Sequence, residues 1–410
     1  MSSILKDRHI VLGISGGIAA YKAVELLRRL SEAEAQVAVV MTRNAQQFIT
    51  PLTFQALTHH GVYTDLFDSQ SPWAMDHIRL AEWADLIVLA PATANLIAKA
   101  AHGLADDLLS TFLLACPAPK LFCPAMNARM YENPIVQANL KLLAGLGNHV
   151  LEPSSGFLAC GQEGPGRLPE TEVIVEEIFH LFSPQDLKGE LVLITAGCTW
   201  EAIDPVRFIA NPSTGKMGFS LGRVAKRRGA QVTLITGPTQ LEAIQGISTI
   251  RVTSALEMQK EVLKVFPTAT VVIKAAAVSD YRPKEVAKQK IKKKKNAVLH
   301  LNLTQNPDIL HQLGGQKKKN QFLVGFAAET EDLLNNALQK LKEKNLDLIV
   351  ANPIGKSDAG FGEDTNQVIF LFPDGKAKSL PVMLKDEVAS LIFDTILKRR
   401  GQKNRDTSRS

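Results

Sequence analysis

The sequence predicts an α/β protein of two Rossmann-like, three-layer domains with mainly parallel sheets. Three observations carry that reading. First, an apolar strand running into a glycine-containing turn and a helix occurs twice, as His9-Ile10-Val11-Leu12-Gly13-Ile14-Ser15-Gly16-Gly17 and as Leu191-Val192-Leu193-Ile194-Thr195-Ala196-Gly197-Cys198. Second, each copy opens a stretch of about 180 to 220 residues in which apolar strands alternate with helical segments, the pattern of a parallel sheet covered on both faces. Third, 410 residues suffice for two or three domains. Small residues at such a turn let the backbone approach a phosphate, and the helix N-terminus stabilises its charge. Each half therefore reads as a nucleotide- or flavin-type binding domain.

In the first half the expected strands are Ile10–Ile14, Gln36–Met41, Leu86–Ala90, Leu121–Pro124 and His149–Leu151. Helices are expected at Ile18–Glu32, Thr50–Leu57, Ala94–Ala101, Asp106–Ala115 and Asn133–Leu146. The segment Ser183-Pro184-Gln185-Asp186-Leu187-Lys188-Gly189 is polar, short and followed by a fresh strand, so the domains divide as 1–187 and 188–400. Strands then follow at Leu191–Thr195, Gln231–Thr236, Ile247–Val252, Thr270–Lys274, Phe322–Phe326, Leu348–Ala351 and Gln367–Phe372. Helices follow at Lys216–Arg228, Ala255–Phe266, Asp332–Lys344 and Leu384–Lys398, and residues 401–410 read as a disordered basic tail.

Composition excludes several classes. No apolar run reaches the roughly 20 residues of a membrane span, and Met1–Asp7 has no apolar h-region, so a cytoplasmic location is expected. Cys116, Cys123, Cys160 and Cys198 form no C-x-x-C pair, which argues against a zinc site or disulfide framework and suits a reducing compartment. The net charge of +6 is concentrated in Lys290–Lys295 and the tail from Lys398. Without aromatic interleaving these runs do not indicate nucleic acid, and a basic loop also suits a polyphosphate substrate.

The glycine segments do not match the commonest nucleotide motifs. Gly13 to Gly17 is G-x-x-G-G, and Met41-Thr42-Arg43 stands where a dinucleotide domain carries an acidic residue for the ribose. Asn211-Pro212-Ser213-Thr214-Gly215-Lys216-Met217-Gly218 resembles a P-loop only in outline, since Ala210 replaces the upstream glycine and Met217 follows the lysine. It remains a plausible anion site before a helix.

Pro91-Ala92-Thr93-Ala94-Asn95 and Pro124-Ala125-Met126-Asn127 each follow a buried strand, at the carboxyl edge where open α/β sheets bind ligands. Asp76-His77-Ile78-Arg79-Leu80 precedes a strand, and the glycine-rich loop from Gly156 to Arg167, with Cys160 inside it, has the length of a lid. Together these segments resemble the flavin-dependent cysteine decarboxylases, with a flavodoxin-like fold. N-x-S-T-G-K-M-G from Asn211, A-A-V-x-D-Y-R-P from Ala276 and K-I-K-K from Lys290 resemble phosphopantothenate–cysteine ligase. Both halves, in this order over residues 6 to 395, resemble the fused bacterial decarboxylase–ligase family of coenzyme A biosynthesis.

That resemblance implies FMN in the first half. A simple acylated cysteine has no electron sink for the carbanion left by decarboxylation. Oxidation of its thiol to a thioaldehyde creates one, and a flavin can accept and return the two electrons. The matched residues are His77 for oxidative decarboxylation, Asn127 for the substrate carboxylate and Cys160 as proton donor in the final reduction. Ser15, Gly16, Gly17, Thr42, Thr93 and Asn95 are the flavin-side candidates. Taken alone, a lone histidine is usually structural, a lone cysteine a small buried hydrophobe, and Asn127 could simply cap the next turn.

For the second half the resemblance implies CTP as co-substrate, an acyl-cytidylate, attack by the cysteine amine, and Mg2+ shielding the phosphates, with its protein ligands unknown. Asn211 matches the residue that holds the acyl-cytidylate, and Lys290 the lysine that offsets charge at the reacting phosphoryl group. The nucleotide contacts map to Ala275, Ala276, Ala277, Asp280, Lys290, Pro307, Asp308, Ile309, Leu310, Phe326, Lys340 and Lys344. By themselves Lys340 and Lys344 read as a solvated helix face, and Phe326 as core. Cys198 and Trp200 depart from the family pattern of a glycine and a basic residue; if position 198 needs positive φ, Cys198 is strained.

The resemblance further implies 4′-phosphopantothenate, cysteine and CTP as substrates, and a homo-oligomer with trimeric decarboxylase and dimeric ligase contacts, a dodecamer satisfying both. No nucleic-acid or membrane partner is expected. Two rival readings are a flavin-binding regulatory protein without catalysis and a nicotinamide-dependent reductase. Retention of His77, Asn127 and Cys160 disfavours the first, and the irregular glycine spacing disfavours the second.

Overall fold

The computed structural model describes residues 3–58, 60–67, 76–157, 163–292, 298–329, 333–353 and 362–407. The chain divides into two compact units, Met1–Ser183 and Pro184–Ser410. Pro184 to Lys188 belongs with the second unit because Leu187 is fully buried in its core and its amide donates to Arg228 O at 3.0 Å.

The first unit is a sheet of six parallel strands: β1 (His9–Ile14), β2 (Gln36–Met41), β3 (Val62–Tyr63), β4 (Leu86–Ala92), β5 (Lys120–Pro124) and β6 (His149–Val150), ordered β3-β2-β1-β4-β5-β6. Without the two-residue edge strand β3 this is the flavodoxin order, and the direction of winding reverses between β1 and β4. Successive residues face opposite layers. Ile10, Leu12 and Ile14 pack with helices Lys22–Glu32 and Thr171–Phe182, while Val11, Ile87 and Leu89 pack with Leu80, Leu96, Leu109, Phe112 and Leu143 from helices on the other face. A hairpin, β7 (Ser154–Phe157) with β8 (Glu163–Arg167), flanks residues 158–162.

The second unit repeats the plan. Strands Ser248–Arg251, Gln231–Thr236, Leu191–Ala196, Val271–Lys274, Phe322–Glu329 and Leu348–Pro353 are parallel in that spatial order, and Ile369–Leu371 and Ala377–Ser379 extend the sheet antiparallel. The winding reverses between Leu191–Ala196 and Val271–Lys274. One face is covered by helices Lys216–Arg227 and Lys385–Thr407, the other by helices Ala255–Val265, Ile309–Gln316 and Leu333–Glu343.

The last helix, expected over Leu384–Lys398, spans Lys385–Thr407; residues 408–410 lie outside the described residues. Asp386 and Glu387 sit at its start and a lysine- and arginine-rich stretch at its end, the charge order that favours the helix dipole. Arg399 pairs with Asp374 at 3.1 Å and Arg400 with Glu190 at 2.7 Å. Sequence reasoning also missed helices Asp76–Trp83, Thr171–Phe182 and Ile309–Gln316 and several short strands, β3, β7 and β8 among them. Among the described residues, no helix is long and apolar enough to cross a membrane.

Candidate active sites

Each unit holds a cavity at the carboxyl edge of its sheet, beside the point where the winding reverses. In the first unit it encloses about 870 Å³, within the range of small-molecule and cofactor sites. Ser15 follows β1 directly and is 2% exposed; its hydroxyl donates to Pro91 O at 2.7 Å and accepts from Thr93 N–H at 2.9 Å. One side chain thus ties the end of β1 to the end of β4. Thr93 caps helix Ala94–His102, and Thr42 Oγ1 accepts from Ala45 N–H at 3.2 Å.

The cavity is lined by Ser15, Gly16, Gly17, Thr42, Thr93, Asn95 and Asn127. Asn127 also caps the turn it opens, accepting from Arg129 N–H at 2.9 Å, so the capping role and the cavity position coexist. Met126 N–H donates to Gly166 O at 2.9 Å, which fixes the root of the β7–β8 hairpin against this loop. Gly166 has φ +125°, and a Cβ there would lie 2.2 Å from Met126 O.

One expected residue, His77, does not meet the others. His77 stands in the first turn of helix Asp76–Trp83 and is not in the cavity wall; its Nδ1 is buried without a hydrogen-bond partner among the described residues. Cys160 lies outside the described residues. Sequence reasoning missed Lys99 in the wall, whose ammonium is 2.5 Å from Asp106 and 2.8 Å from Asp107. Burial works against its charge, but the two carboxylates outweigh that and raise its pKa. Lysine and paired aspartates one helical turn and a loop apart were the available signal. Cys116 and Cys123 are buried, and burial pushes both thiols up.

In the second unit a cavity of about 500 Å³ is lined by Ala276, Asp280, Pro307, Asp308, Ile309, Leu310, Phe326, Lys340 and Lys344. Ala275 and Ala277 are absent from its wall, and strand alternation gives the reason. Lys274, Ala276 and Val278 face the cavity. Ala275 and Ala277 instead donate their amides to Thr195 O at 3.2 Å and Gly197 O at 2.8 Å. Asp308 caps helix Ile309–Gln316 and pairs with Lys344 at 2.8 Å. Burial works to raise Asp308, and Lys344 and the His311 amide outweigh it, so its carboxyl lies below the usual range.

Asn211 and Lys290 also lie outside that wall. Asn211 Nδ2 donates to Val278 O at 3.2 Å, reaching the cavity-lining segment. Lys290 is exposed, and the chain around it is held by the turn at 203–207: Ala287 N–H donates to Ile203 O at 3.0 Å, and Arg207 to Ile291 O at 2.6 Å. Asp204, 2% exposed, receives Arg207 at 2.6 Å and the amides of Val206 and Arg207, each at 2.9 Å. Against the cost of burial, these bonds hold its carboxyl well below the usual range.

The strain anticipated at Cys198 is not present. Gly197 takes the positive φ of +74°, and Cys198 is a buried residue bridged to Ala277. Trp200 stacks on Phe208 with ring centroids 4.1 Å apart. Among the described residues, no group of three His, Cys, Asp or Glu could hold a metal ion.

Comparison with known proteins follows the same division. The flavoprotein family model matches residues 2–183, and the DNA/pantothenate metabolism flavoprotein C-terminal domain matches residues 187–399. The coenzyme A biosynthesis bifunctional protein CoaBC of Bacillus subtilis is 50% identical over 397 residues, 96% of this chain and 97% of the relative. That of Escherichia coli K12 is 45% identical over 404 residues, 98% of this chain and 99% of the relative. Among solved structures, the C-terminal domain of a CoaBC is 40% identical with a TM-score of 0.46, covering 53% of this chain and 99% of that one. A PPC decarboxylase mutant complexed with pantothenoylaminoethenethiol is 32% identical with a TM-score of 0.39, covering 42% of this chain and 97% of that one.

Proposed function

We infer the function from one premise: the chain belongs to the family of coenzyme A biosynthesis bifunctional proteins, enzymes that join a flavoprotein decarboxylase unit to a ligase unit. In our reading the second unit couples cysteine to 4′-phosphopantothenate at the expense of CTP, through an acyl-cytidylate. The first unit then decarboxylates phosphopantothenoylcysteine to 4′-phosphopantetheine.

The observation that carries the first assignment is the convergence of Ser15, Gly16, Gly17, Thr42, Thr93, Asn95 and Asn127 on one cavity beside the β1–β4 reversal. Small residues, two strand ends and a capped helix N-terminus fit a phosphorylated flavin there. FMN, when bound, supplies the two-electron sink that a simple cysteine amide lacks. Asn127 orients the substrate carboxylate, and Cys160 gives the proton that completes the product.

His77 fits a homo-oligomer. It is absent from the cavity wall, while Ile18, Tyr21, Met130 and Phe157 line the cavity and are 62%, 61%, 49% and 74% exposed. Apolar side chains so placed suit cover by a neighbouring copy, and we place His77 at the flavin site through such a contact, in a trimer. Dimeric contacts between ligase units would complete a dodecamer.

For the ligase, the cavity of the second unit takes CTP, with Asp280, Pro307, Asp308, Ile309, Leu310, Phe326, Lys340 and Lys344 around it. Asn211 holds the activated acyl group and Lys290 offsets charge on the reacting phosphoryl group. Mg2+ enters with the phosphates rather than on a preformed protein cluster.

The test is one reaction of purified protein with 4′-phosphopantothenate, cysteine and magnesium–CTP, followed by mass spectrometry. Appearance of 4′-phosphopantetheine is expected. Accumulation of phosphopantothenoylcysteine in a flavin-loaded preparation would overturn the decarboxylase assignment, and absence of both products would overturn the whole reading.

A further inference from the structure

Lys274 ends a strand that is otherwise apolar, Val271-Val272-Ile273, and that strand is paired on both sides, Lys274 standing level with Thr195 and with Gly325. It is the first strand past the reversal of winding, the place where open α/β sheets hold ligands. Its backbone is therefore fixed, and strand alternation aims its side chain into the cavity with Ala276 and Val278. The neighbouring cation Lys344 is engaged by Asp308 at 2.8 Å. Lys274 makes no hydrogen bond and no ion pair among the described residues. The same wall contains Ser279, 4% exposed, whose hydroxyl has no hydrogen-bond partner among the described residues.

Lys274 is half-buried, and with no acceptor from the protein among the described residues its ammonium is left to donate to whatever enters the cavity. Neither the nucleotide contacts carried over from the family nor the ion pairs of the fold use it. We propose that Lys274 is a nucleotide-binding residue of this cavity, its ammonium donating to acceptor atoms of the bound CTP. The inference rests on the reading of the cavity as the nucleotide site.

The charges around Lys274 make the proposal readable by pH. Burial pushes its pKa down to about 8; Asp308 works against that, Lys344 adds to it and Asp280 works against it. Lys340 also lines the cavity. A donor bonded to the nucleotide must keep its proton, so binding above the free value of Lys274 draws a proton from solution and weakens as pH rises.

The experiment is calorimetric titration of the full-length protein with CTP, without the other substrates, at pH 7 and pH 9.5. Wild type is expected to lose about tenfold or more in affinity between the two. Lys274→Met should bind about tenfold or more weakly at pH 7 and lose most of that pH dependence. Lys274→Arg, always charged, should bind near wild-type strength at pH 7 and hold it at pH 9.5. Retained phosphopantothenoylcysteine decarboxylation shows that the variants are folded in the other unit, and circular dichroism reports the whole chain. If Lys274→Met binds CTP with wild-type affinity and the same pH dependence, the inference fails while the site assignment stands. If wild type itself does not bind CTP, both fall.

Discussion

Asp204 Oδ2 accepts a hydrogen bond from the backbone N–H of Ile291 at 3.1 Å, across 87 residues of sequence. The bond falls one residue after Lys290. With Arg207 on the carbonyl of Ile291 and Ala287 on Ile203, it sets where the backbone of Lys290 lies. Asp204→Asn should free that stretch. A misplaced catalytic group can cost about a hundredfold in rate, so ligation should fall by about ten- to a hundredfold while decarboxylation is unchanged. Hydrogen exchange over residues 285–292 should rise in the variant. An additive loss when Asp204→Asn is combined with Lys290→Gln would show that Asp204 does not act through the lysine.

Gly166→Ala should damage the other unit. Its Cβ would press on Met126 O, and the positive φ adds strain of about 1–3 kcal/mol. The hairpin root would shift from Met126 and Asn127. Decarboxylation should drop at least tenfold with ligation intact; equal rates in wild type and variant would count against the hairpin's role.

Ser15→Ala removes the link between the ends of β1 and β4. Pro91 O and Thr93 N–H lose a buried partner, at a cost of about 1–3 kcal/mol. The first unit should melt earlier and release flavin more readily, measured by visible absorbance after gel filtration.

Acidification should unfold the second unit through carboxylates that its cations and amides hold below their usual range. Burial works to raise Asp386, but Arg223 and Arg227 outweigh it, and Asp204 and Asp308 are also held below their unfolded range. A carboxylate with a lowered folded value contributes its full stability above the unfolded pKa of about 4 and loses it as pH falls through the folded value. Calorimetry from pH 7 to 3 should show a falling Tm for this unit below about pH 4. Asp386→Asn should lower the Tm at pH 7 and flatten the acid slope.

Phe393→Ala should be severe, because Phe393 is fully buried between the last helix and the sheet. A loss of about 3–5 kcal/mol is expected for the second unit, read by denaturant titration. Deleting residues 401–410 should leave both activities unchanged.

The alternating apolar strands were legible because a parallel sheet covered on both faces demands them, and the same alternation located the carboxyl-edge loops that carry Ser15, Thr93 and Asn127. What escaped were elements whose signal is local and weak. Glu163–Arg167 contains Gly164, Pro165 and Gly166, which read as loop, yet it pairs with Ser154–Phe157. Helix Ile309–Gln316 carries Gly314 and Gly315, poor helix formers retained because Leu310 and Leu313 are buried. The separation of Ala276 from Ala275 and Ala277 required the pleat rather than the motif. Lys274 offered one hint, a charge closing an apolar strand, whose meaning depended on strand order.

The final helix has a consequence for the birth of the protein. Its Val388, Ile392 and Phe393 fill the same core as Val192 and Ile194, about two hundred residues upstream. On the ribosome the first unit has its whole core once residue 183 has emerged. The second cannot close until its last helix leaves the exit tunnel, so its opening strands wait through nearly all of their domain's synthesis. The first unit can thus fold while the second is still being made, and the second only once its last helix is available.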